Sequence, residues 1–159
     1  MRLLYPTLLL ALSLPALALA QTDGPCQVTA VASGDRLTCR LAERSVDVRL
    51  RGIEAPRAGE PYAQASLDNL RRLAEGRSAT LVLPREEAAG ALSAAVWVEP
   101  VDCPGCGHTL DVGRAQLAVG MARWRVDDPQ GEEERAQYNF EEQEAKARKV
   151  GLWRPARTP

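Results

Sequence analysis

Val46-Asp47-Val48-Arg49-Leu50-Arg51-Gly52-Ile53-Glu54-Ala55-Pro56-Arg57 is the stretch whose reading decides the fold. Val46, Val48 and Leu50 alternate with polar neighbours, the period of a strand with one face in a core. The strand carries Arg49 at a ligand-facing position and runs out at Glu54, two residues before a proline. A dozen residues upstream, Ser33-Gly34-Asp35-Arg36 reads as a tight turn bearing a second carboxylate. Two carboxylates and an arginine on neighbouring strand ends are what a protein needs to hold a divalent metal beside a phosphate.

Working outward, residues 26–32 and 36–43 alternate apolar and polar side chains on either side of that turn and predict a hairpin. Residues 46–53 add a third strand after the polar Glu43-Arg44 connection. From Tyr62 to Glu75, Ala63, Leu67, Leu70 and Leu73 recur at helical spacing, and Gly76 supplies the stop. Residues 79–83 and 92–98 read as two further strands, separated by a loop from Pro84 to Gly90. A helix is expected over 110–119, weakened by Gly113 and ended by Gly120. Another is expected over 130–149, where Glu132-Glu133-Glu134 at one end and Lys146, Arg148 and Lys149 at the other suit the helix dipole. Its charges read as a solvated face. Three strands, a helix, two strands and two helices predict a mainly β fold with α: one closed five-stranded antiparallel barrel with three packed helices.

Residues 1–20 read as a signal peptide: Arg2 is the one charge, a leucine-rich run follows, and Ala18-Leu19-Ala20 has the form of a cleavage site. Export to the periplasm or the medium is therefore expected, with residues 21–159 as one domain and no membrane association after cleavage. Cleavage leaves 139 of the 159 residues, enough for one core. It removes one of 20 basic residues and none of 21 acidic ones, so the remaining charge is −2. That balance gives no global attraction to nucleic acid, and any binding must come from a local basic patch. Aromatic residues make up only 4%, which leaves few stacking platforms for single strands.

An exported chain meets an oxidising compartment, so the four cysteines are expected in disulfides, with three connectivities open. Local pairing of Cys103 with Cys106 leaves Cys26 with Cys39. A turn centred between Gly34 and Asp35 sets Ala30 opposite Cys39, so a bridge from Cys26 needs a bulge or a tail that folds back. The loop at 100–109 holds Cys103-Pro104-Gly105-Cys106-Gly107-His108, and the chain's one histidine adds a third zinc-type ligand. No second C-x-x-C completes a zinc site, so a small disulfide loop is the favoured reading and zinc at Cys103, Cys106 and His108 the minor one, with redox activity behind both.

The order of these motifs resembles the staphylococcal nuclease family and its thermonuclease-like relatives. The resemblance rests on the Gly34-Asp35 turn, Arg49-Leu50-Arg51-Gly52-Ile53-Glu54-Ala55-Pro56, Tyr62-Ala63-Gln64-Ala65-Ser66, Leu117-Ala118-Val119-Gly120-Met121-Ala122 and Ala145-Lys146-Ala147-Arg148-Lys149-Val150-Gly151-Leu152-Trp153. It implies an OB-fold barrel and calcium-dependent hydrolysis of DNA or RNA phosphodiester bonds. The cysteine loop is similar to an insertion of some exported bacterial relatives.

Carried over by resemblance, Asp35 stands at the first calcium carboxylate and Arg49 at the first phosphate arginine. Glu54 takes the second metal position, where aspartate is usual, and Ala55 retains only its carbonyl. Arg57 occupies the position of the general base, and a guanidinium cannot accept a proton from water. Ala89-Gly90-Ala91 stands where a Tyr-Gly-Arg triplet supplies the second arginine, so Ala91 replaces that arginine. Weak calcium binding is expected, and a partly degenerate site that binds nucleic acid or another phosphate-bearing ligand, through Arg49, Arg51 and Arg57, with little or no cleavage. One alternative is an active nuclease in which Glu60 serves as base and Arg85 as second arginine. Another is a non-catalytic periplasmic scaffold for the cysteine loop.

Overall fold

The alternation about the Ser33–Arg36 turn builds two antiparallel strands, β1 (Gly24–Ser33) and β2 (Arg36–Leu41), at the start of a chain whose computed structural model describes residues 23–155. The signal-peptide reading of residues 1–20 lies outside the described residues. Cys39 faces Val28 instead of Ala30, and the register shifts between Val28 and Ala30. This is the irregularity that a Cys26–Cys39 bridge needs, and the two buried cysteines are joined with their Cα atoms 5.6 Å apart.

Strand β3 (Arg44–Leu50) pairs with β2 and ends sooner than its apolar pattern suggests. Gly52 adopts a φ of +79°, a conformation that strains other residues, and a Cβ there would fall 2.8 Å from Tyr138. The chain therefore turns, and Ile53–Glu54 forms a separate strand, β4, which pairs away from the barrel. Helix α1 (Ala63–Ala74) buries Ser66, Leu70, Leu73 and Ala74. Strand β5 (Ser78–Glu86) continues past the expected end at 83 because a register shift between Val82 and Arg85 accommodates Pro84. Strand β6 (Leu92–Val98) follows the expected span.

The expected helix at 110–119 divides into β7 (Leu110–Asp111), paired to β6, and α2 (Val112–Ala118). Asp111 causes the division, since its carboxylate accepts from the backbone N–H groups of Gly113 and Arg114 and so caps α2. Burial raises the pKa of Asp111, while a hydrogen bond from the Tyr138 hydroxyl, 2.8 Å away, favours the ion. A short strand β8 (Arg123–Trp124) lies against β4, and α3 (Glu132–Ala147) completes the elements.

The barrel runs β3-β2-β1-β5-β6 and closes where β6 returns to β3. The closing pair is parallel, with Val48 opposite Leu92 and Leu50 opposite Ala94. Strand direction cannot alternate all the way round a ring of five, so one parallel pair is unavoidable; the expected antiparallel barrel holds for the other four pairs. Val28, Leu37, Val48, Leu50, Leu81 and Val96 fill the interior, with exposures of 2% or less. The 100–109 segment between β6 and β7 carries the Cys103–Cys106 disulfide, and Glu99 accepts hydrogen bonds from the N–H groups of Gly105 and Gly107. The Nδ1 of His108 lies 2.7 Å from the hydroxyl of Thr80, and among the described residues no group of three possible metal ligands includes it.

Candidate functional site

Gly34 and Asp35 are fixed from two sides. The buried amide of Gln116 on α2 donates to the carbonyls of Gly34, at 2.7 Å, and Ser66, at 3.0 Å. A side chain at position 34 would strike the Ser66 hydroxyl and come within 2.8 Å of the Ala55 Cβ, so only glycine lets the turn approach α1. The Asp35 carboxylate accepts from the Ser33 hydroxyl at 2.6 Å and from the Ala55 N–H at 3.2 Å. Asp35 thus ties the hairpin turn to the Glu54-Ala55 segment.

Arg49 is held by two other carboxylates. Its Nη1 donates to Asp128 at 2.6 Å, while its Nε and Nη2 donate to Glu87 at 2.9 and 2.6 Å, and Nη2 also reaches the Ser93 hydroxyl. Its side chain is only 8% exposed. Burial works against the guanidinium charge, but Glu87 and Asp128 outweigh it and hold the pKa above the ordinary arginine value. Burial likewise opposes the Asp128 charge. Hydrogen bonds from Arg49 and the Gly52 N–H, with the nearby charges of Arg49 and Arg125, outweigh it and keep the carboxylate below its usual range.

The sequence reading named neither Glu87 nor Asp128. A signal for Glu87 exists: it lies in the loop from which an arginine was expected, four residues before Ala91. The loop is closed by the Glu87 N–H on the Ala91 carbonyl. It delivers a carboxylate to Arg49 instead of a second cation to the same ligand. Asp128 comes from the connection between β8 and α3, a long-range contact that no local pattern announces.

Arg51 is buried and its donors are engaged within the fold, by Glu134 on α3 and by the carbonyls of Val82 and Leu83. It shares none of the groups that hold Arg49. Glu54 is exposed and stands 3.8 Å from the largely exposed Arg57, whose own N–H donates to Glu60. Arg85 is exposed on β5, its backbone opposite Ser93.

Asp35, Glu54 and the Ala55 carbonyl are the oxygen groups that the calcium expectation names. Calcium takes about six to eight oxygen ligands. Among the described residues no three carboxylate, histidine or cysteine side chains gather where they could hold a metal ion. Asp35 already accepts two internal hydrogen bonds, and Glu54 faces a guanidinium.

A cleft of roughly 910 Å³ opens beside Glu54 and Arg57. Tyr62, Arg123, Leu152 and Arg154 contribute to its walls, and none of the groups holding Arg49 does so.

Residues 47–155 match the family model described as staphylococcal nuclease homologue. The chain belongs to that family. It is 28% identical over 122 residues to a protein named "Probable endonuclease lcl3" from Botryotinia fuckeliana (strain B05.10), and 29% identical over 122 residues to its namesake from Sclerotinia sclerotiorum (strain ATCC 18683 / 1980 / Ss-1). Each match covers 71% of this chain and 44% of the relative, so the chain matches less than half the length of either protein. Within the staphylococcal nuclease homologues the five-stranded barrel with three helices is thus the expected scaffold. At the candidate site this chain carries the Glu87-Arg49-Asp128 cluster and an arginine at position 57.

Proposed function

We propose that this chain is an exported staphylococcal nuclease homologue that binds nucleic-acid-type phosphate ligands and does not cleave them. The observation that carries the reading is the engagement of Arg49 by Glu87 and Asp128, both at 2.6 Å. An arginine that stabilises the charge of a phosphoryl transition state must have donors free to meet it. Here Nε, Nη1 and Nη2 all donate to protein groups.

The remaining machinery points the same way. Arg57 cannot take a proton from water, and loss of a general base lowers a rate by about 10²- to 10⁴-fold. Ala91 offers no charge, and loss of one oriented stabiliser lowers it by a further ~10²- to 10³-fold. These losses overlap, because residues that act as a unit are not additive. Export is supported by the leucine-rich lead over residues 1–20 and by the two disulfides, which suit an oxidising compartment.

Incubation of residues 21–159 with single- and double-stranded DNA, with calcium or chelator, tests the reading. Binding that weakens steeply with salt and leaves the strands intact supports it. Calcium-dependent cleavage, abolished by Arg49→Ala in a folded variant, refutes it. That second outcome is the active-nuclease reading, which the name of the two fungal relatives favours.

A further inference from the structure

We propose that the cleft between the Glu54–Tyr62 segment, Arg123 and the Leu152–Pro155 end is a nucleotide-binding site, separate from Arg49. The inference rests on the reading that this domain binds without cleaving, and it says where and what.

The walls combine two chemistries. Arg57, Arg123 and Arg154 line the cleft against two carboxylates, Glu54 and Glu60, so it is locally cationic in a chain of net charge −1. Arg57 meets Glu54 only at 3.8 Å, and Glu60 accepts from the Arg57 backbone. The Arg123 guanidinium lies 5.0 Å from the centre of the Trp153 ring and, among the described residues, forms no ion pair with a carboxylate. A contact with a ring face uses no N–H donor, so the guanidinium can still donate to a phosphate oxygen. Arg123 sits directly opposite Glu54 on the β4–β8 ribbon, and both line the cleft.

The second chemistry is apolar. Tyr62 and Leu152 join the prolines 56, 61 and 155 in the lining, and the volume of about 910 Å³ exceeds what a bare phosphate needs. A flat aromatic group joined to a phosphate fits both parts.

Tyr62 adds an independent observation. It precedes α1 with a φ of +67°, and no side-chain hydrogen bond caps the helix. An aromatic residue is unfavourable in that left-handed conformation, where glycine or asparagine is at ease. Capping the helix does not require tyrosine, so its ring at the cleft is retained against local backbone preference.

Free mononucleotides and the end of a nucleic-acid strand present the same chemistry, and the test separates them. The probes are adenosine 5′-monophosphate, a ten-residue single-stranded deoxyoligonucleotide and inorganic phosphate, titrated into residues 21–159 at several salt concentrations. The variants are Arg123→Ala with Arg154→Ala, Tyr62→Gly, and Glu87→Gln.

Removing two phosphate contacts should cut oligonucleotide affinity by more than about tenfold and reduce the slope of log K against log salt by about 1.4. Tyr62→Gly should weaken both nucleotides while raising or preserving the melting temperature, a combination that a purely structural tyrosine would not give. Glu87→Gln should change neither. Binding of the mononucleotide supports a free-nucleotide ligand, and binding of the oligonucleotide alone supports a strand.

The proposal is overturned if the arginine double variant, shown to be folded by circular dichroism, binds as the parent does. It also falls if Glu87→Gln strengthens binding, which would place the ligand at Arg49 and leave the binding function intact. Competition by inorganic phosphate as strong as that of the nucleotide would overturn the ligand class. If the parent binds none of the probes, the proposed function and this site fail together.

Discussion

Replacing Asp128 by alanine tests the claim that Arg49 is a buried cation held from within. The Asp128 side chain is 6% exposed and accepts from Arg49 Nη1 at 2.6 Å and from the Gly52 N–H at 2.8 Å. Its loss leaves the guanidinium with Glu87 and Ser93 and leaves a buried backbone N–H without its acceptor. Breaking a buried ion pair from one side is worth about 3–5 kcal/mol, and an orphaned buried donor about 1–3 kcal/mol. Glu87 still compensates the charge, so the combined loss should fall at about 3–5 kcal/mol, not at the sum. Glu87 is 31% exposed, and water can replace much of what Glu87→Ala removes; that variant should lose about 1–2 kcal/mol. Urea unfolding followed by circular dichroism reads both. With a slope of roughly 2 kcal/mol per molar, the midpoint should fall by about 1.5–2.5 M for Asp128→Ala and by less than about 1 M for Glu87→Ala. Asp128→Asn keeps an oxygen for Gly52 without the charge and should fall between them, which preserves the comparison if the alanine variant fails to fold. Equal losses at Asp128 and Glu87 would refute the assignment of Asp128 as the buried anchor.

The depressed pKa of Asp128 has a defined sign: its contribution to stability is complete above the unfolded carboxylate value, about 3.9, and is lost as pH falls through the lower folded value. Melting curves between pH 6 and pH 2 should therefore show an acid-side loss that Asp128→Asn lacks; parallel curves for the two proteins would contradict this. Gly34→Ala should destabilise by about 1–3 kcal/mol or more, because its methyl enters the space of Ser66 and Ala55, and thermal unfolding decides it. Arg57→Glu combined with Ala91→Arg should leave DNA cleavage at background, and adding Glu87→Gln should raise it, since only the third change releases donors of Arg49. Cleavage by the double variant alone would show that Arg49 already reaches the phosphate.

The strand periods, the helix at 63–74 and the long acidic-to-basic helix were legible because each depends on local alternation or spacing. So was the need for a bulge or a folded-back tail near Cys26, which follows from counting residues away from the Gly34-Asp35 turn; the structure takes the bulge. The early end of β3 was not legible. It depends on what a Cβ at Gly52 would meet, namely Gln130 and Tyr138, residues far along the chain. The capping role of Asp111 was obscured because Leu110 and Asp111 fit the helical pattern as well as a short strand. At the candidate site, Asp35 approaches the Glu54-Ala55 segment as its position in the sequence suggested. The surroundings of Arg49 and Arg51 were hidden for one reason: both are buried cations, and a buried cation takes counter-charges from wherever the fold supplies them, here residues 87, 128 and 134.

The three carboxylates of those pairs differ in how readily they could yield to a ligand. Asp128 is almost wholly buried and also holds Gly52, so it cannot leave without breaking the turn that ends β3. Glu134 anchors Arg51 to α3 and has no contact with Arg49. Glu87 alone stands on a short connection between strands with its side chain 31% exposed. A phosphate approaching Arg49 therefore competes with Glu87 and no other group that can move. That competitor is tethered, so its effective concentration is on the order of millimolar, and it needs no desolvation because it is already in place. A ligand must bind the Glu87-displaced state preferentially to shift the equilibrium, and its apparent affinity falls in proportion to the fraction of molecules in that state. Arg123 and Arg154 share their cleft with Glu54 and Glu60 but are ion-paired to no carboxylate among the described residues, which is the energetic reason for an anion to settle there before it reaches Arg49.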